Sequence, residues 1–347
     1  MADVQKEKVM EIQGIPGSPY SMKMVAYLRY RRIPYAFLVQ AHGTLKGYPK
    51  PKPLLYPVIY FTNEEGQREA QVDSTPLIRR LETEYSGRET LPADPVTCFL
   101  QDLLEDFADE WISRIMYHYR WADEGNAEHA TPMLMHWAAP QLDDKTANAI
   151  GQLFRKRQEG RRNMVGSNEI TKKATEAGYK RLLGILDGII AKQPFLFGTR
   201  ASAADFAIYG QLSQLTIVEP SSAKICDKIS PRVRCWVDLA GDASGVSVDE
   251  SGWKKEKSLE LLKPLFDEIG RTYAPLALAN ERAALAGNTK LEAEIDGRPW
   301  VQDVFAYQSK CLAALRTSFA ALSPEHQSEV RLVLEGTGCD VFLDGKI

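Results

Sequence analysis

Cysteine is sparse in this chain and follows no pattern. Cys98, Cys226, Cys235, Cys311 and Cys339 are odd in number and scattered over 347 residues. No CxxC and no Cys/His spacing points to zinc, so no metal site is expected. An excess of one charge is also missing. The net charge of −3 gives no electrostatic footprint for nucleic acid or an anionic membrane. Long apolar runs are absent too. The nearest, 182–190, is broken by Asp187 and falls well short of the roughly 20 residues that span a bilayer. The polar start Met-Ala-Asp-Val-Gln-Lys-Glu-Lys runs straight into a strand pattern, so no signal peptide is expected. These absences lead to the expectation of a reduced, cytoplasmic, soluble protein. What is present is 44% apolar residues, enough for real cores, over a length that suits two or three domains.

The most informative stretch is Gly14-Ile15-Pro16-Gly17-Ser18-Pro19-Tyr20-Ser21-Met22-Lys23. A short strand over 8–12 precedes it, with Met10 and Ile12 alternating, and a helix over 22–32 follows. Ser18 is a good N-cap, and Pro19 then falls where a missing N–H costs nothing. A helix N-terminus carries partial positive charge and can hold an anion, a thiolate included. Taken alone, Ser18 reads as no more than a cap. After the helix, 33–39 turns into a second strand, and strand–helix–strand favours a parallel pair. A Pro-rich loop covers 42–53. Leu54-Leu55-Tyr56-Pro57-Val58-Ile59-Tyr60-Phe61 is β-prone despite its proline, and a turn at 63–66 leads to a fourth, antiparallel strand over 68–72. Asp73-Ser74-Thr75-Pro76 then opens a helix, a strong N-terminal signature.

Ser18-Pro19-Tyr20-Ser21 resembles the Cys-Pro-Tyr-Cys turn of glutaredoxins with both thiols replaced by hydroxyls. That replacement is typical of serine-type glutathione transferases. With the strand proline and the Asp-Ser helix start in the same order, the chain is similar to the cytosolic, bacterial-like members of the glutathione S-transferase superfamily. The resemblance implies a thioredoxin-like α/β domain over 1–87, with Tyr56–Pro57 a cis bond facing the active turn. The backbone of Tyr56 would hold the peptide part of glutathione. Asp73 would take the α-ammonium and Ser74 the α-carboxylate of its γ-glutamyl end. Lys46, Lys52 or His42 would reach the glycyl carboxylate. The family often has valine and an upstream lysine where Tyr56 and Leu55 stand here.

An all-helical second domain is expected over 92–240. Its first helix, 96–120, carries Phe99, Leu103, Leu104, Phe107, Trp111, Ile112, Ile115 and Met116 at helical spacing. Asp102, Glu105, Asp106, Asp109 and Glu110 read as a solvated or partner-facing side. The aromatic end, Tyr117 to Trp121, reads mainly as packing, with a second-substrate pocket as the alternative. Further helices are expected over 134–139, 146–157 and 168–190. Arg155, Lys156, Arg157, Arg161 and Arg162 read as a solvated basic face that could meet the acidic side in a dimer. Ser202 and Asp205 have capping-box spacing before an apolar helix over 203–215, and losing that cap should cost about 1 kcal/mol. This run resembles the matching element of the transferase C-terminal domain. The resemblance covers about residues 8–240. A mostly helical extension over 253–347 follows, with helices at 259–273, 276–285, 301–322 and 324–334 and a short β element near Asp296-Gly297. Tyr273, Trp300, Phe305, Tyr307 and Phe319 read as its core, and Cys311 as a buried thiol. The extension could roof the second-substrate pocket or bury an outer face.

The resemblance implies that glutathione, as co-substrate, attacks a small apolar electrophile through its thiolate. Ser18, Tyr20 and Ser21 are the candidate donors to the sulfur, and the missing cysteines at 18 and 21 argue against dithiol chemistry. A homodimer is implied, with neither nucleic acid nor membrane as partner. The alternative is a catalytically silent scaffold of the same fold whose working part is the extension.

Overall fold

The computed structural model describes residues 9–41, 45–249 and 251–344. Lys8, expected to open the first strand, and His42, expected near the glycyl carboxylate, lie outside the described residues. The first unit runs β1 (Met10–Gly14), α1 (Pro19–Arg31), β2 (Tyr35–Val39), β3 (Val58–Thr62), β4 (Arg68–Val72) and α2 (Ser74–Glu84). The sheet order is β2-β1-β3-β4, with β1–β2 parallel and the other pairs antiparallel. Helix α1 starts three residues earlier than its apolar spacing suggests, because Ser18 accepts from the Ser21 N–H and Pro19 takes the first helical position. It stops at Arg32, whose left-handed backbone sends its N–H back to the carbonyls of Leu28 and Arg29.

The helical unit runs α3 (Pro95–Phe107), a π-helical turn (Ala108–Ile112), α4 (Ser113–Ala122), α5 (Glu124–Ala138), α6 (Asp144–Glu159), α7 (Lys172–Ile190), α8 (Ala203–Ser213), α9 (Pro220–Ile229) and α10 (Pro231–Gly241). The expected helix over 96–120 is thus one helical path with a widened turn in its middle. The capping box forms: Asp205 accepts from the N–H and hydroxyl of Ser202 and from the Leu196 N–H. The extension is α11 (Lys255–Leu285), the hairpin β5 (Lys290–Ile295) and β6 (Arg298–Asp303), α12 (Ala306–Ala320) and α13 (Pro324–Leu334). Among the described residues no helix is long and apolar enough to cross a membrane.

The extension departs from its sequence reading in two places. The two helices expected at 259–273 and 276–285 are one helix, α11, which passes through Pro264 and Pro275. Each proline leaves the carbonyl four residues back without its donor. Those carbonyls belong to Glu260 and Arg271, both exposed residues, where solvent can take the place of the lost donor. The buried stripe Leu262, Leu265, Phe266, Ile269, Tyr273, Leu276, Ala277 and Ala283 continues unbroken past both prolines. The helix expected from 301 instead begins at Ala306, because Trp300 and Gln302 alternate inward as part of β6. Tyr273, Trp300 and Phe319 are core, whereas Tyr307 is 43% exposed. Cys311 is half-buried, and withdrawal from water beside Glu110 and Asp106 pushes its thiol far up.

The acidic side of α3 is not solvated. Lys23, on α1, is buried and places Nζ 2.7 Å from Glu105 and 2.6 Å from Asp109. Arg79, on α2, reaches Asp102 at 2.5 Å and Glu105 at 2.6 Å. The Thr75 hydroxyl lies 3.2 Å from both Glu105 and Asp109 and has one proton to donate to either. The extension covers the rest: Tyr273 donates to Asp106 at 2.6 Å and Gln308 to Glu110 at 3.0 Å. On the basic face, Arg155 pairs within the chain with Glu124 and Glu159. Pairing with Arg79 and Lys23 outweighs burial at Glu105 and lowers its carboxyl. Burial wins at the others. Asp102 is raised to about 6, Glu110 to about 7 and Asp106 well above the carboxylate range.

One close approach sets the seam between the units. At Gly210, on α8, a side-chain carbon would lie 2.5 Å from the Pro19 carbonyl and 3.1 Å from Cβ of Lys23. Only glycine lets α8 pack this tightly on α1. Gly210→Ala must push the helices apart, and a loss of about 1–3 kcal/mol is expected in urea unfolding. A stability equal to wild type would show that α1 can give way.

The raised carboxyl of Glu110 predicts a pH dependence. It loses its proton near its ordinary value of 4.5 in the unfolded chain but near 7 in the fold. The stabilisation from its protonated form is complete below 4.5 and disappears as pH rises toward 7. Glu110→Gln keeps an acceptor for Gln308 and removes that titration. Relative to wild type it should gain on the order of 2 kcal/mol between pH 4.5 and 8. A difference that stays flat over that range would contradict the assignment.

Candidate functional site

The pairing of the sheet brings the three sequence motifs to one end. Gln13 faces Val58 in the β1–β3 register, and Val58 faces Val72 in the β3–β4 register. One step further along both registers, Gly14, Pro57 and Asp73 come into line. The turn that follows Gly14, the Tyr56–Pro57 bond (which is cis) and the start of α2 therefore crowd together.

At the turn, Ser18 is half-buried and its Oγ accepts from the Ser21 N–H at 3.3 Å. Its own proton is not used in that bond. Ser21 is fully buried beneath the strand end. Its Oγ accepts from the Ile15 N–H at 3.4 Å, and a side-chain carbon on Gly14 would lie 2.4 Å from it. Tyr20 turns toward the helical unit and donates to the Asp109 carbonyl at 2.8 Å; burial beside Asp109 and Glu110 keeps its phenol protonated. The turn itself is clamped from behind. Arg120 donates to the Gly17 carbonyl at 2.8 Å and to Gln214 at 2.8 Å, and Gln214 donates to the Pro16 carbonyl at 3.1 Å. Glu219 pairs with Arg120.

A wall of α5 stands over the turn. A side-chain carbon at Gly17 would lie 2.4 Å from Leu134 and 2.9 Å from the Trp137 ring. Ile15, Trp121, Leu134 and Met135 form one apolar cluster with Tyr56, Tyr117 and Trp137 at its edge. Tyr117 and Trp121 are packed there, and the Tyr117 hydroxyl donates to the Gln158 carbonyl. The Tyr56 phenol donates to the Gln40 carbonyl at 2.9 Å. Lys46 and Lys52 are exposed in the Pro-rich loop.

Asp73 has a left-handed backbone, with φ 79°, which costs a non-glycine residue about 1–3 kcal/mol and persists only where its surroundings hold it. Its Oδ1 caps α2 by accepting from the Thr75 N–H at 3.3 Å. Its Oδ2 accepts from the hydroxyl of Tyr307 at 2.8 Å. Ser74, next in the chain, is buried. Thr75 links this corner to Lys23, Glu105 and Asp109. Sequence reasoning missed Lys23, Thr75, Asp109 and Tyr307. A lysine on the inward side of an otherwise apolar helix was the one signal for the buried cluster. Tyr307 gave none, since an aromatic inside the helix expected over 301–322 reads as core. Among the described residues no group of His, Cys, Asp or Glu is arranged to hold a metal ion.

Comparison with known proteins bears on the same segments. Residues 13–89 match the family model for the glutathione S-transferase N-terminal domain, and residues 169–239 the model for its C-terminal domain. No curated protein sequence matches the chain. Similar solved structures include a glutathione S-transferase from Methylobacterium radiotolerans in complex with glutathione sulfonate. It is 14% identical, with a TM-score of 0.38, over 67% of this chain and 94% of that one. Another is a glutathione transferase from Pseudomonas putida with glutathione disulfide bound, 16% identical, TM-score 0.40, over 70% and 93%. A third is Gtt2 from Saccharomyces cerevisiae, 14% identical, TM-score 0.36, over 68% and 96%. The two family models fall on the sheet unit with the Ser18 turn and on the helices that carry the Asp205 capping box: the chain is a member of the glutathione S-transferase superfamily.

Proposed function

We propose that this chain is a glutathione transferase of the serine type, in which Ser18 faces the thiol of bound glutathione. The observation that carries the reading is the register that lines up Gly14, Pro57 and Asp73 at one end of the sheet. The donor set fits a γ-glutamyl tripeptide. Asp73 offers a carboxylate to the α-ammonium, and the start of α2 with Ser74 offers N–H and hydroxyl donors to the α-carboxylate. The backbone of Tyr56, beside Pro57, pairs with the peptide portion. Bound glutathione supplies a thiol that ordinarily titrates near about 8.5 and is made more acidic at a helix N-terminus. Ser18 has a proton to donate to that sulfur. The Tyr20 hydroxyl already donates its hydrogen bond to the Asp109 carbonyl, and Ser21 is buried, which favours Ser18 among the three. The thiol loses its proton to solvent, and the thiolate attacks a small, largely apolar electrophile admitted beside Trp137 and Tyr56; a sulfur–carbon bond forms and the bond to the leaving group breaks, with chloride departing from an aryl chloride.

The protein is cytoplasmic and forms a homodimer in this reading. The dimer surface lies away from the acidic side of α3, which the extension already covers.

Two substitutions test the site. Ser18→Ala should lower kcat toward an activated aryl chloride by about 10²–10³-fold, the loss typical of one donor to a developing or existing anion. Its glutathione Kd, measured by calorimetry, should stay within about threefold, because the hydroxyl contributes little to ground-state binding. Asp73→Ala should weaken glutathione binding by about tenfold or more. Absence of glutathione binding by the wild type would sink the transferase reading and favour a silent scaffold.

A further inference from the structure

The contact between Tyr307 and Asp73 joins residues 234 positions apart, at 2.8 Å, and ties the extension to the corner of the site where a γ-glutamyl end would bind. Tyr307 does not serve the core. It is 43% exposed, and its only close aromatic neighbour among the described residues is Phe305, at 6.1 Å between ring centres. Its backbone nevertheless stands on a fixed platform. Asn280, buried on α11, donates to the Phe305 carbonyl at 2.9 Å and accepts from the Phe305 N–H at 2.8 Å. Gln308, also buried, donates to Glu110 at 3.0 Å. The first turn of α12 is therefore held from both α11 and the π-helical turn of the helical unit.

An ionised carboxylate has about four acceptor positions. The Thr75 N–H uses one on Oδ1 and the Tyr307 hydroxyl one on Oδ2, so each oxygen keeps one. A carboxylate held at both oxygens has lost its rotational freedom before any ligand arrives. Asp109 and Glu110 stand close enough for the charge of Asp73 to act on both. Lys23 answers Asp109, and Arg114 faces Glu110. The carboxylate of Asp73 has no cation of its own among its described partners, and both groups that hold it are neutral.

We propose that Tyr307 is a positioning residue of the γ-glutamyl subsite, holding Asp73 so that the chain selects ligands with a free α-ammonium at that end. The proposal rests on the glutathione reading above and adds a residue from the extension to it. The hydroxyl acts through Asp73 rather than on the ligand. Its removal therefore affects recognition of the ammonium and leaves recognition of the rest of the tripeptide intact.

The test uses the full chain, wild type and Tyr307→Phe, and two ligands in calorimetry. One is glutathione; the other is glutaryl-cysteinyl-glycine, which lacks only the α-amino group. Wild type should prefer glutathione by about tenfold or more, and Tyr307→Phe should reduce that preference by about fivefold. Binding of the glutaryl analogue should change by less than about twofold between the two proteins. Equal weakening of both ligands would mark a merely structural role and overturn the proposal. So would an unchanged preference, or tighter glutathione binding by Tyr307→Phe, which would make the tyrosine a cover over the subsite. Failure of wild type to bind glutathione at all would remove the transferase reading itself, an outcome separate from a wild type that binds and a variant that binds alike.

Discussion

The rest of the structure depends on a lysine that has no water. Lys23 lies on α1, five residues after the Ser18 cap, and is 1% exposed. Withdrawing an ammonium from water costs several kcal/mol, so the charge survives only against well-placed anions. Glu105 and Asp109 supply them from α3, and Arg79 from α2 balances Glu105 in turn. Such clusters add little net stability over apolar packing, but removing one partner costs about 3–5 kcal/mol. Any arrangement with α1 and α3 out of register therefore carries that penalty. The N-terminus of α1, the start of α2 through Thr75, and the π-helical turn through Asp109 are located by one set of charges. Apolar contacts along α1 and α8 bring the units together; the ions decide how they sit.

The same cluster explains why α3 carries more acid than its own unit can use. Lys23 and Arg79 answer three of the five carboxylates, while Asp106 and Glu110 meet donors from the extension, Tyr273 and Gln308. Burial raises both of those carboxyls, as it raises Asp102 despite its guanidinium partner; only Glu105, held by Lys23 and Arg79 together, is lowered. The extension is thus chemically matched to the side of α3 it covers. It also shares the main apolar cluster, whose members range from Met10 to Leu343.

Local rules made the first unit legible. A cap, a proline at the first helical position, alternating strands and turn residues all act within a few positions, and each element of β1–β4 and α2 falls close to its expected place. The capping box of Ser202 and Asp205 is legible for the same reason. The acidic side of α3 was not, because charges at helical spacing read as a solvent face and their partners lie far away in sequence. Lys23 precedes Asp109 by 86 residues, and Gln308 follows Glu110 by 198. In the extension the proline rule misled. It holds for the donor that is lost, but the two affected positions, Glu260 and Arg271, are on the exposed side, where the loss is cheap, and the buried stripe that carried α11 through was already present in the sequence.

Magnitudes also give the direction of cause between the extension and the site. A hydrogen bond to a charged group contributes about 1.5–3 kcal/mol. Ordering one residue costs about 1–2 kcal/mol, so a single bond from Tyr307 to Asp73 could not order α12. What orders α12 is the burial of Leu312, Leu315 and Phe319, with Phe319 against Phe99 at 5.6 Å and the Asn280 bonds at its start. The phenol is therefore delivered to Asp73 by packing accomplished elsewhere, as the strained backbone of Asp73 is held by bonds it did not create. For a tail that only shielded an outer face of the helical unit, that one bond would add little to what the packing of α12 already supplies. Under the proposed glutathione reading the same bond has a second use, because it fixes the carboxylate that meets the α-ammonium.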